Sequence, residues 1–326
     1  MDWRNIPPCY QRLPEPLFEI PVDDFSLPVI VLPEELLSDG LRGERIRIYL
    51  LLGFMAPPGN IKRIPAGYMV QKALECGRIA PGGTLIEPTS GNFGLSLAYC
   101  AHKHNINVIA LVSDKLPRGK RLPLERHGAE VITESELAHK LGVSRSYTSI
   151  ELAEMYAKTS DAVFLNQYNN PWNPESYHGV AQQVWNGVGG QISLFVPATG
   201  SKGNLIGFGS QFRTWNPKIE IVSTRPYFRQ NIDGARDKRR QAEVGNDVSL
   251  VGEIIDEPID ERTARLVSEL LYENGIPAGP SAGAALGSAD HMLLSHVEND
   301  TLKNLRCADG TIGVFIPFAD TCYPYD

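Results

Sequence analysis

The sequence predicts an α/β protein of two lobes, each a twisted, parallel-rich sheet flanked by helices. Its 326 residues are too many for one simple core. Hydrophobic residues make up 42% and charged residues 21% of the chain, ordinary values for a globular protein with ample apolar material to bury. Short apolar runs alternate with helical patterns along the chain, the signature of right-handed βαβ crossovers and parallel sheets.

Runs that read as buried strands stand at 46–54, 84–87, 107–112, 162–166, 192–197, 219–223 and 313–317. Most are followed by helical periodicity, at 66–76, 94–103, 120–127, 204–212, 261–274 and 283–295. Sheets of this kind bind ligands at the carboxyl ends of their strands, so function is to be sought at the strand-to-helix junctions. One stretch, TRPYFRQNIDGARDKRRQAEVGND at 224–247, is polar and aperiodic. It reads either as a long, lid-like loop or as a solvated surface excursion.

Composition narrows the class of partner. The formal net charge is −7 and no long run of Lys or Arg occurs, so a nucleic-acid partner is not expected and a small-molecule ligand is. Five scattered cysteines, Cys9, Cys76, Cys100, Cys307 and Cys322, form no CxxC pair, which speaks against a disulfide framework or zinc site and for a cytoplasmic setting. The N-terminus, MDWRNIPPCYQRLPEP, has no apolar signal region, and no stretch approaches the ~20 apolar residues of a membrane span. Neither secretion nor membrane association is expected. The histidines show no HExxH or other ligand spacing, so no metal is expected. Arg118, Lys120, Arg121 and Arg126 form a basic cluster that a solvated helix face explains more cheaply than an anion site.

Four junctions carry the candidate chemistry. In TLIEPTSGNFG, at 84–94, an apolar strand runs into Thr89, Ser90, Gly91 and Asn92 and then a helix. Hydroxyls and free N–H groups at a helix N-terminus can seat a carboxylate or phosphate; a capped helix is the plainer reading. In FVPATGSKGNLIG, at 195–207, Gly200, Ser201, Lys202, Gly203 and Asn204 link a strand to a helix. A glycine-rich turn lets the backbone approach a phosphate, although the spacing fits neither GxxxxGK[ST] nor GxGxxG, and a simple βα turn stays open. In PPGNIKRIPA, at 57–66, Lys62 stands at the mouth of a helix with Pro65 in its first turn. An amine there, partly desolvated, loses its proton more readily, which suits a Schiff-base lysine, but most lysines are surface charges. In IPAGPSAGAAL, at 276–286, Ser281 begins a small-residue helix, with an N-cap as its plain role.

Together these segments resemble the cysteine synthase and cystathionine β-synthase-like family of fold type II, pyridoxal 5′-phosphate (PLP)-dependent enzymes, whose architecture is tryptophan synthase β-like. The block GRIAPGGTLIEPTSGNFGLSLA, at 77–98, is similar to the family's G-x-I-x-P-G-x-T-L-I-E-P-T-S-G-N-T-G. QYNNPWNPESYH at 167–178, GSKGN at 200–204 and GPSAG at 279–283 follow in the family's order, and the resemblance spans roughly 14–320. It implies a smaller mobile lobe at 46–160 carrying the Schiff-base lysine and the carboxylate loop. A larger phosphate-binding lobe is implied from 14–45 plus 161–326, and a homodimer as the assembly.

The resemblance implies that Lys62 forms the internal aldimine and takes the substrate α-proton. Asn92 would lie beside the cofactor's 3′-oxygen. Thr89, Ser90 and Gln167, with Gly91 and Phe93 in the same loop, would grip the substrate carboxylate. Gly200, Ser201, Lys202, Gly203 and Asn204 would hold the phosphate, and Ser281 would face the pyridine nitrogen. A neutral partner there favours elimination of a β-leaving group through an aminoacrylate over transamination. The cofactor supplies the carbanion chemistry while the protein positions it.

Several positions depart from the family pattern. Arg63 and Ile64 stand where Asp-Arg is usual, and Phe93 where threonine is. Lys202 and Asn204 replace a glycine and a threonine, giving the phosphate turn a cation for a hydroxyl. The 224–247 segment has no good counterpart. These departures point away from ordinary cysteine synthesis from O-acetylserine and sulfide. The expected activity is β-replacement on an activated L-serine, of O-acetyl or O-phospho type, by a small nucleophile, yielding cysteine or another β-substituted alanine. Two alternatives stand beside it: β-elimination, as in a dehydratase or desulfhydrase, and a catalytically weakened, PLP-binding regulatory paralogue.

Overall fold

The computed structural model describes residues 13–89, 91–144 and 146–323. The chain folds into two compact units, Met1–Ile61 with Tyr177–Asp326, and Lys62–Ser176. The architecture is α/β with parallel-rich sheets, as the alternation of runs predicts.

The larger unit begins with a hairpin of β1 (Phe18–Val22) and β2 (Phe25–Val31), and β2 pairs antiparallel with β3 (Ile46–Leu52). The chain then builds the smaller unit as α1 (Arg63–Glu75), β4 (Thr84–Pro88), α2 (Asn92–His102), β5 (Asn107–Val112), α3 (Arg118–Arg126), β6 (Ala129–Thr133), α4 (Glu134–Leu141), α5 (Ser149–Thr159), β7 (Ala162–Phe164) and α6 (Trp172–Glu175). It returns to the larger unit with α7 (His178–Gly187), β8 (Leu194–Phe195), α8 (Gly203–Trp215), β9 (Glu220–Pro226), α9 (Lys238–Ala242), β10 (Ile255–Ile259), α10 (Glu261–Glu273), α11 (Pro280–Glu298) and β11 (Ile312–Phe318).

In the smaller unit four strands lie in the order β6-β5-β4-β7, every pair parallel. Their side chains alternate between two apolar layers, as a pleated strand buried on both faces requires. Leu85, Val108 and Ala110 pack with Met69, Val70 and Leu97 of α1 and α2, whereas Ile86, Ile109 and Leu111 pack with Leu137 and Leu152 of α4 and α5. Both latter helices start on capping boxes. Thr133 with Glu136 and Thr148 with Glu151 exchange the hydrogen bonds that satisfy first-turn N–H groups.

In the larger unit seven strands run in the order β1-β2-β3-β11-β8-β9-β10, parallel from β3 onward. The core on one side is aliphatic, with Ile48, Leu50, Val196, Val314 and Ile316 against Ala284, Ala285 and Leu293 of α11. On the other side Phe195, Phe208, Phe212 and Phe315 form an aromatic cluster, with Phe195 and Phe212 edge to face at 5.4 Å. Such a pair adds about 0.5–1.5 kcal/mol beyond its buried area.

The smaller unit therefore starts later and ends later than the 46–160 expected for it. The strand at 46–52 is apolar enough to sit in either sheet, and pairing with β2 and β11 commits it to the larger one. At the other end, β7 pairs with β4, and the loop after it stays with that strand. The hairpin β1–β2, the strands β6 and β10, and the helices α4, α5, α7 and α9 are further elements that the periodicity alone does not single out. Among the described residues no helix is long and apolar enough to cross a membrane.

Candidate active site

In the smaller unit, Lys62 is the N-cap residue of α1, half-buried, and Pro65 lies in the first helical turn where its missing N–H costs no bond. Arg63 and Ile64, the departures that follow it, are both buried. Arg63 runs along its own helix beside Gly67, with its guanidinium 5.8 Å from the centre of the Tyr99 ring on α2. Its charge is thus used in packing α1 against α2 through a cation–π contact.

The strand β4 delivers the second junction. Thr89 is buried, and its Oγ1 accepts the N–H of Gly91 at 3.1 Å and of Gly94 at 3.0 Å, so this hydroxyl caps α2. Its own N–H donates to the Leu111 carbonyl. The plainer reading of a capped helix therefore describes the Thr89 side chain. Gly91 has φ of +146°, a conformation that L side chains rarely adopt, and it turns the chain into Asn92, the half-buried first residue of α2. Phe93 is 4% exposed and belongs to the core with Leu97 and Met69. Ser90, the remaining member of the expected loop, lies outside the described residues.

Gln167 is held in place from several directions. Its N–H donates to Glu87 Oε1 at 2.9 Å, its Nε2 to the Pro88 carbonyl at 3.3 Å, and its carbonyl accepts from Asn173 Nδ2 at 2.7 Å. Glu87 also accepts the N–H of Asn166 through Oε2 at 2.9 Å. This acid is fully buried, and burial pushes its pKa up to about 8 even though the two N–H donors favour the charged form. Glu87 is a member of the site that the motifs by themselves do not single out. A lone acid inside the apolar run TLIEP is the signal that marks it, since buried carboxyls are rare without partners. The smaller unit thus joins the Thr89 loop and Gln167 through one strand end.

In the larger unit, β8 leads into the turn 200–204 and then α8. The first bond of α8 runs from Ile206 N–H to the Lys202 carbonyl, and Leu205 N–H is taken by the Asn204 side chain at 2.8 Å. The N–H groups of Gly203 and Asn204 precede any carbonyl of their own helix, the arrangement that seats an anion at a helix start. A Cβ on Gly200 would clash with the Gly234 carbonyl, so the turn closes this tightly only with glycine there. Lys202 takes the left-handed conformation, φ 62°, and its Nζ donates to the Val244 carbonyl at 3.1 Å. Burial lowers its pKa. The cation that the sequence adds to the turn is thus engaged by the backbone of the 224–247 segment.

Ser281 is 1% exposed and stands at the second position of α11, behind Gly279 as N-cap and Pro280. It is not the N-cap. Its Oγ lies 3.5 Å from Oδ1 of Asp320, two residues beyond β11, a long contact. Gly234 bridges the two parts of the larger unit's site: a Cβ on it would lie 3.3 Å from Ser281 Cβ, and its carbonyl faces Gly200. A glycine turn whose Gly203 and Asn204 amides precede any carbonyl of their own helix fits a phosphate, and a buried neutral hydroxyl nearby fits a ring nitrogen.

Comparison with known proteins agrees with this chemistry. The family model described as pyridoxal-phosphate dependent enzyme matches residues 31–303. Cysteine synthase B of Pseudomonas aeruginosa is 31% identical over 267 residues, covering 80% of this chain and 87% of that protein. The O-acetylserine dependent cystathionine beta-synthase of Bacillus subtilis is 28% identical, covering 76% of this chain and 81% of its own. Among solved structures, O-ureido-L-serine synthase superposes with a TM-score of 0.75 at 24% identity, over 92% of this chain and 90% of that one. That likeness shows the shared fold. The chain belongs to the pyridoxal-phosphate dependent enzyme family, and it is a PLP-dependent enzyme of the cysteine synthase-like kind.

Proposed function

We propose that this enzyme performs β-replacement on an L-serine whose hydroxyl is activated as an acetyl or phosphate ester, with a small nucleophile as second substrate. The observation that carries the reading is similarity to cysteine synthase B along 80% of the chain, with Lys62, the 89–92 loop, Gln167, the 200–204 turn and Ser281 in the family's order. When bound, PLP supplies the electron sink for carbanion chemistry at the substrate α-carbon. Lys62 anchors the cofactor and moves the α-proton. Asn92 orients the cofactor's 3′-oxygen, while Ser90, Gly91 and Gln167 bind the substrate carboxylate. Thr89 serves that loop through its cap on α2. Gly200, Ser201, Gly203 and Asn204 hold the phosphate, and Ser281 faces the ring nitrogen.

The case for elimination rests on Phe93 as a wall of the substrate loop and on a changed lid. Phe93 lies in the core of the smaller unit, which withdraws half of that support. The homodimer and the cytoplasmic setting belong to the same proposal.

The test is incubation with PLP, O-acetylserine or O-phosphoserine, and a panel of thiols and amines, with products identified by mass spectrometry. A β-substituted alanine is expected with at least one donor and nucleophile. Pyruvate released equally with and without nucleophile would establish elimination instead. Consumption of neither donor would overturn the proposal.

A further inference from the structure

We propose that the segment 227–247 is a strap that holds the 200–204 turn in its anion-binding shape, with Lys202 and Asn246 as positioning residues; this rests on reading that turn as the cofactor-phosphate seat. The segment is not a solvated excursion. Ile232 and Ala235 belong to the main core of the larger unit, and Val244 and Asn246 are buried. Its short helix α9 is capped by Asp237, which accepts the Arg240 N–H at 2.9 Å.

The strap bonds the turn on its carbonyls. Arg236 N–H donates to the Thr199 carbonyl at 2.9 Å, and Asn246 Nδ2 donates to the Ser201 carbonyl at 2.8 Å. Gln241 Nε2 reaches the Thr199 carbonyl at 3.4 Å and the Arg236 carbonyl at 2.9 Å. In the reverse direction Lys202 Nζ donates to the Val244 carbonyl at 3.1 Å.

These bonds have a geometric consequence. A trans peptide carries its C=O and the following N–H on opposite sides. Fixing the Thr199 and Ser201 carbonyls toward the strap turns the Gly200 and Lys202 N–H groups away from it. With the first-turn amides of Gly203 and Asn204, this makes a nest of backbone donors of the kind that binds phosphate. The strap thus sets the direction of the backbone donors that meet the anion.

Exposed Lys238, Arg239 and Arg240 on α9 provide trypsin sites that report on the strap. Lys202→Met and Asn246→Ala are expected to raise the cleavage rate at 238–240. The same variants are expected to weaken PLP binding by about tenfold each, the scale of one hydrogen bond, while leaving the affinity for pyridoxal, which has no phosphate, unchanged. Lys202→Arg should restore both readouts. Wild-type cleavage and PLP affinity in both variants would overturn the inference, as would equal losses for PLP and pyridoxal. If either variant fails to fold, inorganic phosphate added to the wild-type protein decides: slower cleavage at 238–240 supports the strap, and an unchanged rate refutes it. Failure of wild-type protein to bind PLP would remove the phosphate-seat reading, while the cleavage rates of the variants would still judge the strap.

Discussion

The carboxyl group of Glu87 accepts the backbone N–H of Gln167 at 2.9 Å, joining residues 80 apart in sequence inside the smaller unit. The same side chain takes the N–H of Asn166, so one buried acid fixes the chain just beyond β7 to the end of β4. Both strands end at loops that the family resemblance assigns to the substrate.

Glu87 gives the protein a pH-dependent stability of defined sign. Its folded pKa lies at about 8, above the ordinary 4.5, so the folded chain binds the proton more tightly than the unfolded chain. The associated stability is complete below pH 4.5 and is lost as pH rises through 8. Thermal melts across that window should fall toward alkaline pH for wild type, by an amount on the order of a few kcal/mol. Glu87→Gln, which cannot titrate, should flatten that slope; an unchanged slope would refute the assignment.

Lys62 should be the point of covalent attachment. Borohydride reduction of the PLP-loaded protein followed by peptide mapping is expected to leave the cofactor mass on the peptide containing Lys62. Lys62→Ala should lower turnover by about 10²–10⁴-fold, the range for loss of a positioned proton-transfer group. Label on another lysine would sink this assignment.

Gly200→Ala should damage the phosphate turn. The added Cβ meets the Gly234 carbonyl, a backbone atom that cannot rotate away, and overpacking of this kind costs about 1–3 kcal/mol. Equilibrium denaturation should register that loss, and PLP titration should show weaker binding. Wild-type values in both would contradict the tight closure.

Phe93→Ala should behave as a core truncation. At 4% exposure within the core of the smaller unit, its loss is expected to cost about 3–5 kcal/mol in denaturant unfolding. A variant of wild-type stability with altered donor preference would instead return Phe93 to the substrate loop.

Much of the fold was legible in local pattern. Apolar runs such as 107–112 are long enough and bounded clearly enough to be strands, and the turn 200–204 stands out by its glycines. The helices α4 and α5 also carry a readable signal, since Thr133 with Glu136 and Thr148 with Glu151 have the spacing of capping boxes. The pairing of β3 was not legible, because an apolar strand is compatible with either sheet and only its partners β2 and β11 decide.

By itself the sequence determined the class of fold, the family, and the residue types at the four junctions, because these depend on periodicity and motif order. Tertiary structure decided what each side chain does. It placed Phe93 in a core, gave the Thr89 hydroxyl to a helix cap, and turned the Lys202 ammonium to the carbonyl of Val244. It also drew Asn246 to the Ser201 carbonyl across 45 positions. The physical reason is that a buried polar group must be satisfied by whatever partner the fold brings to it, and distance along the chain does not reveal that partner.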